Sequence, residues 1–294
     1  MIDSAEPAAA PAEDAIRCEG LRLTRGRWHT VLDGISLQIP VGAVVGLVGR
    51  NGAGKTSLIQ CLVGLTLPDS GRCELLGEPA HALTDAVRDR LGFVAQQPDL
   101  FGWLSGTEHL QRFSTVYSGW DERRALELSV RLDLNLATPA RRLSGGDQQK
   151  LSVVLALAHD PDLLILDEPV ASLDPLSRRD FMRSLFERSD PRQAARTVLI
   201  SSHLLSDLER VVTHVAFLRE GRLQLFGEWD ALAEHLRLLA LPAHSTALPQ
   251  RVLQRRSVGD RVRVLFDSRE AGAPPAAGRA LNLDELFDEL NQPR

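Results

Sequence analysis

The stretch best equipped for chemistry is Gly49-Arg50-Asn51-Gly52-Ala53-Gly54-Lys55-Thr56, followed by Ser57. Its spacing is G-x-x-x-x-G-K-[ST]. Glycines at these positions let backbone N–H groups converge on phosphate oxygens with no side chain in the way. Lys55 then reaches the outer two phosphates of a nucleotide, and Thr56 offers its hydroxyl to Mg²⁺. The motif requires a strand before it and a helix after it. Ala43–Val48 is a strand-sized apolar run, and Gly54–Leu65 has helical periodicity. The helix N-terminus adds its positive end to the same anion site.

A second candidate is Leu163-Leu164-Ile165-Leu166-Asp167-Glu168-Pro169, an apolar strand ending in two acids. Ligand groups in an open parallel sheet collect at the carboxyl ends of the strands. Asp167 is therefore expected near the glycine loop, holding Mg²⁺ directly or through water. Glu168 is expected to face the terminal phosphate and either orient or deprotonate the attacking water.

These residues need a scaffold of alternating strands and helices. Ile16–Arg22 and Ile35–Ile39 read as early strands, Leu91–Ala95 as a short one, and Leu163–Leu166 and Thr197–Ser201 as buried ones. Helical periodicity marks Thr107–Tyr117, Asp121–Leu134, Gln148–His159 and Leu176–Arg188. The alternation predicts an α/β fold with a parallel central sheet, interrupted by a helical subdomain at about 104–159. Val211–Leu218 and Arg222–Phe226 read as a hairpin turning at Glu220-Gly221. Residues 1–15 are read as a disordered tail, and residues 16–240 as the main domain. Residues 241–294 are read as a small extension: a linker at Leu241–Pro249, two strands around Gly259, and a helix over Leu281–Leu290.

Composition narrows the class. The 294 residues carry 34 basic and 39 acidic side chains, a net charge of −5, so no nucleic-acid partner is expected. No apolar run approaches the length of a membrane helix. Met1–Ala15 lacks the basic start and apolar core of a secretory signal. Cys18, Cys61 and Cys73 match no metal-site spacing and are read as reduced cytosolic thiols.

Leu143-Ser144-Gly145-Gly146-Asp147-Gln148-Gln149-Lys150 adds a helix start with Ser144 as N-cap and two glycines that open the backbone to an anion. Together with the two sites above, it makes the chain from about Ile16 to Trp229 resemble the ATP-binding cassette (ABC) ATPases. The resemblance implies a P-loop NTPase core with an N-terminal antiparallel β-subdomain, a helical signature subdomain and a small C-terminal extension. It implies ATP and Mg²⁺ as ligands. It also implies a head-to-tail dimer, with a second copy or a homologous ATPase subunit, in which Ser144, Gly145 and Gly146 meet the other subunit's ATP. Asp147 stands where the family usually has Gln, and it is expected to point away from phosphate.

Three further residues take roles from the resemblance. Gln96, in Phe93-Val94-Ala95-Gln96-Gln97-Pro98, matches the glutamine loop that senses Mg²⁺ and the attacking water. His203, after Ser201-Ser202, matches the switch histidine at the γ-phosphate. Asp174, in Ala171-Ser172-Leu173-Asp174, matches the loop crossing the dimer interface, although a helix cap would read the same. The aromatic that usually stacks on adenine is replaced by Arg25 or Gly26. Trp28 is close by and either stacks instead or sits on a surface turn.

The family's partner is an integral membrane permease, which places such a subunit on the cytoplasmic face of the inner membrane. Leu100-Phe101-Gly102-Trp103-Leu104 either docks that partner or packs inside the helical subdomain. The Phe101–Leu110 segment and the Leu281–Phe287 tail are more similar to bacterial export subunits than to importers. An importer ATPase, or a soluble cassette or nucleotide switch, is the alternative. Arg251–Arg294 is open to regulation, dimerisation or simple stabilisation.

Overall fold

The computed structural model describes residues 14–26, 28–170, 181–183, 185, 195–202, 209–242, 245, 249, 251–270 and 278–292. Of the tail expected at 1–15, residues 1–13 lie outside the described residues, as do Asp174, His203 and most of the expected helix Leu176–Arg188. Asp14 and the buried Ala15 instead belong to the first strand, because they pair in the N-terminal sheet.

In chain order the elements are β1 (Asp14–Arg25), β2 (His29–Pro40), β3 (Val44–Val48), α1 (Lys55–Leu62), β4 (Ser70–Leu75), β5 (Glu78–Pro79), α2 (Asp85–Arg88) and β6 (Leu91–Val94). The helical subdomain follows with α3 (Gly106–Phe113), α4 (Glu122–Arg131) and α5 (Gly145–Leu157). Then come β7 (Leu163–Asp167), β8 (Thr197–Ser202), β9 (His214–Arg219), β10 (Arg222–Glu228) and α6 (Trp229–His235). The chain ends with β11 (Leu236–Pro242), β12 (Val252–Val258), β13 (Arg261–Asp267) and α7 (Leu283–Asn291).

The central sheet has the order β10-β9-β3-β8-β7-β6, parallel except where β10 returns along β9. Its inner strands are buried on both faces, which explains their unbroken apolar runs. Side chains alternate across it. Val44, Val48, Leu164, Leu166, Val198 and Ile200 face the core shared with α4 and α5. Val45, Leu47, Leu163, Ile165 and Leu199 face the core shared with α1 and the antiparallel sheet β2-β1-β4-β5. The expected P-loop NTPase architecture, with its antiparallel N-terminal sheet and helical insertion, is therefore present.

Local chemistry sets the boundaries. Ser105 and Glu108 form a capping box that starts α3, while Asp121 caps α4 and Ser144 caps α5. Because Ser144 caps, α5 begins at Gly145 rather than at Gln148 as the periodicity predicted. The β9–β10 turn places both Glu220 and Gly221 at positive φ, the geometry that matches strand twist in a two-residue hairpin.

One expectation needs correction. The linker predicted at Leu241–Pro249 starts too early, because β11 runs through Pro242 and pairs along its whole length with β13 in a third sheet, β11-β13-β12. Leu236 and Leu238 are buried, and Leu239 and Leu241 pack on Val262, Val264 and Phe266. β11 is leucine-rich with no β-branched residue, so its own propensity gives no strand signal.

Candidate active site

The parallel register brings the predicted site together. Val48 pairs with Ser202 and Asp167 with Ser201, so the ends of β3, β7 and β8 lie side by side. The glycine loop leaves β3 at Gly49 and enters α1 at Lys55. A Cβ at Gly49 would lie 2.4 Å from the Leu218 carbonyl oxygen, and one at Gly54 would lie 2.9 Å from that of Val31. Gly54 also has φ of +105°, so glycine is required there twice over. Gly54 is the N-cap of α1 and no side chain caps the helix, which leaves its first N–H groups open to an anion.

Lys55 is buried, donating to the Gly49 carbonyl at 2.8 Å and lying 3.3 Å from Glu168 Oε1. Asp167 is 2% exposed, and its Oδ1 accepts from Ser201 Oγ at 2.6 Å. The same Ser201 Oγ accepts the Glu168 N–H at 2.9 Å. Glu168 takes a φ of +49°, a left-handed conformation that costs a non-glycine residue about 1 kcal/mol or more. Ser201 therefore fixes the side chain of one acid and the backbone of the next. In the sequence Ser201 is read as the end of a buried strand and a neighbour of His203, with no role of its own. The one available signal was a hydroxyl at the end of a buried apolar strand.

The other predicted residues are spread around this centre. Thr56 and Ser57 follow Lys55 on α1. Arg50, Asn51 and Gly52 are exposed on the loop, and Ala53 is buried. Gln96 is exposed just beyond β6, and the neighbouring Ala95 carbonyl accepts from Gln149 Nε2 of α5 at 3.3 Å. Ser144 accepts the Asp147 N–H at 3.1 Å and donates to Asp147 Oδ2 at 2.8 Å, while Lys150 lies 3.4 Å from Asp147 Oδ1. The Asp147 carboxylate is thus turned back onto its own helix. Trp28 is 87% exposed in the turn between β1 and β2. His203 and Asp174 lie outside the described residues, so their geometry is not part of this site.

The donor set suits a hard cation. Thr56 offers a hydroxyl, Gln96 an amide oxygen and Asp167 a carboxylate, all oxygen ligands of the kind Mg²⁺ takes alongside substrate phosphates. Asp167 already has one oxygen oriented by Ser201, as outer-shell partners of metal ligands commonly do. The residues fit the ion.

Comparison with known proteins agrees with this architecture. Residues 32–171 match the family model described as ABC transporter. The chain is 35% identical over 227 residues to the Nod factor export ATP-binding protein I of Ralstonia nicotianae, covering 74% of this chain and 68% of that protein. It is 33% identical over 279 residues to mouse ATP-binding cassette sub-family A member 7, covering 92% of this chain but spanning only 13% of that protein's length. A solved structure titled as the ATP binding subunit of an ABC transporter superposes with a TM-score of 0.67 at 26% identity, covering 74% of this chain and 91% of that one.

Proposed function

The chain belongs to the family of ABC transporter ATP-binding subunits, and on that premise we propose that it hydrolyses ATP to drive export through a separate membrane permease. The observation that carries the reading is the buried group Lys55, Glu168, Asp167 and Ser201 beside the open N-terminus of α1. A cation, two acids and a phosphate cradle meet there with the polarity that phosphoryl transfer needs.

Residues 49–57 bind the phosphates, and Trp28 stacks on adenine. Phosphoryl oxygens take Lys55 over from Glu168. The carboxylate then accepts a proton from the attacking water and aligns it on the γ-phosphorus. His203 donates to the γ-phosphate. Thr56, Asp167 and Gln96 hold Mg²⁺, which when bound screens the charge that builds up on the phosphates. Ser144, Gly145 and Gly146 of a second copy or a homologous subunit close over the nucleotide, with Asp174 crossing the interface. Most of the acceleration is then positioning and charge stabilisation.

Two observations support a membrane partner. A groove of about 450 Å³ runs between the end of α1, the Gln96 segment and the helical subdomain, with Phe93, Pro98, Leu100 and Phe113 in its lining. Beside it Trp103 is 69% exposed and Phe101 half exposed, while Leu104 is buried. The 100–104 segment thus divides its side chains between packing and an apolar surface suited to a permease loop. No helix among the described residues is long and apolar enough to cross a membrane. In this reading the permease holds the subunit on the cytoplasmic face. Export is favoured over import by the Ralstonia relative, which is named as an export ATP-binding protein.

The test is ATP hydrolysis by the purified chain beside Glu168→Gln, with dimer formation followed by size-exclusion chromatography. The expected result is hydrolysis by the parent and a variant slowed about a hundredfold or more that binds ATP and accumulates as a dimer. Hydrolysis by Glu168→Gln at the parent rate would overturn the assignment of the base. Co-purification with a co-expressed hydrophobic permease tests the partner.

A further inference from the structure

The C-terminal helix α7 has no role in the mechanism above, yet both its ends are fastened to the nucleotide-binding core. At its start the Leu283 N–H donates to Glu209 Oε1 at 3.2 Å. At its end the Arg219 guanidinium donates to the carbonyls of Leu290 at 2.9 Å and Gln292 at 3.0 Å. A cation on the last carbonyls of a helix also meets the negative end of its dipole.

Arg219 is the last residue of β9, directly before the Glu220-Gly221 turn. That turn is part of the wall of the phosphate loop. The Gly221 N–H donates to the Ala53 carbonyl at 3.0 Å, and the Gly221 carbonyl accepts the Asp33 N–H at 2.8 Å. The Leu218 carbonyl occupies the space a Gly49 side chain would need. A single residue, Glu220, therefore separates the one whose guanidinium holds α7 from the one whose N–H holds the loop. Between helix and loop lies a cavity of about 690 Å³, with Phe287 and Asn291 on one wall and Arg50 and Asn51 on the other.

We propose that α7 is a positioning element for the phosphate loop, acting through Arg219 and the Glu220-Gly221 turn. With the helix docked, Arg219 holds the turn in place, and the turn holds Ala53 and Gly49 in the geometry that receives phosphate. The inference rests on ATP being the ligand of that loop. Coupling of this kind is reciprocal, so ATP binding must tighten the docking of α7 by the same factor by which docking tightens ATP.

The experiment uses the full chain and a fluorescent ATP analogue, with hydrogen exchange of residues 283–291 measured with and without ATP. In the parent, ATP is expected to slow exchange in α7. Arg219→Gln is expected to weaken ATP binding about tenfold, to raise KM for ATP more than it lowers kcat, and to abolish the ATP-dependent protection. Arg219→Lys, which keeps a charged donor, is expected to recover part of the affinity. Should Arg219→Gln fail to fold, the exchange comparison on the parent alone decides. A parent that binds ATP with no change in α7 exchange overturns the proposal, and so does an Arg219→Gln chain that binds ATP as the parent does. A parent that binds no ATP overturns the functional reading itself.

Discussion

Lys55 Nζ lies 3.3 Å from Glu168 Oε1, although 113 positions separate the two residues and both are nine-tenths buried. Removing one member of a buried ion pair leaves the other charge poorly compensated. Lys55→Met is therefore expected to lose about 3 kcal/mol of stability, read from urea unfolding. The double variant Lys55→Met/Glu168→Gln is expected to regain a large part of it. Strict additivity of the two single changes would mean that the pair is not energetically coupled.

Ser201 carries two bonds on one hydroxyl, one to each acid. Ser201→Ala leaves the Glu168 N–H only its longer approach to the Ser201 carbonyl, at 3.2 Å, and removes the donor to Asp167. The predicted outcome is a fall in kcat of roughly ten- to a hundredfold with a smaller change in KM, and a stability loss of about 1–3 kcal/mol. Unchanged kcat in a folded variant would show that the acids orient themselves without Ser201.

The difference between Ser201 and the glycine loop shows what was legible in the sequence. Residues 49–56 are read from order alone because the whole phosphate cradle is one contiguous stretch, although Gly49 and Gly54 are also required by the Leu218 and Val31 carbonyls packed against them. Asp167 and Glu168 were legible because they end an apolar run. Ser201 was not, because its role arises from the β7–β8 register, which sets it opposite Asp167. The α7 helix was expected from its pattern, and the Asn282–Glu285 capping box accounts for where it starts. Its place against the phosphate loop depends on Arg219 and Glu209, whose residue types give no hint of a helix-end contact. The β11 strand escaped because pairing with β13, not propensity, makes it extended.

Trp28 separates affinity from stability. At 87% exposure its ring has little burial to lose, so Trp28→Ala should leave the unfolding midpoint within the error of the parent. Stacking of a base on an aromatic side chain is worth about 1–3 kcal/mol, so the same change is expected to weaken ATP binding about fivefold or more. Trp28→Phe should restore most of it. ATP affinity unmoved by Trp28→Ala would return Trp28 to the surface turn and leave adenine recognition to other groups.

Stability should also depend on the pH near His159. Its ring stacks on Tyr117 with centroids 4.0 Å apart, and Nε2 meets the Leu91 carbonyl at 3.2 Å. Burial holds its pKa below the ordinary histidine value, a shift that the carbonyl only partly offsets. The unfolded chain therefore takes up a proton as pH falls through about 6.5, while the folded chain takes it up only at lower pH. Stability contributed by the neutral ring is complete above that value and declines as pH drops toward the folded pKa, by at most about 1.4 kcal/mol per pH unit for one proton. His159→Phe keeps the stacking and cannot titrate, so its urea midpoint should vary less between pH 7 and pH 5.5 than that of the parent. An equal pH slope in the two proteins would assign the acid sensitivity to other groups.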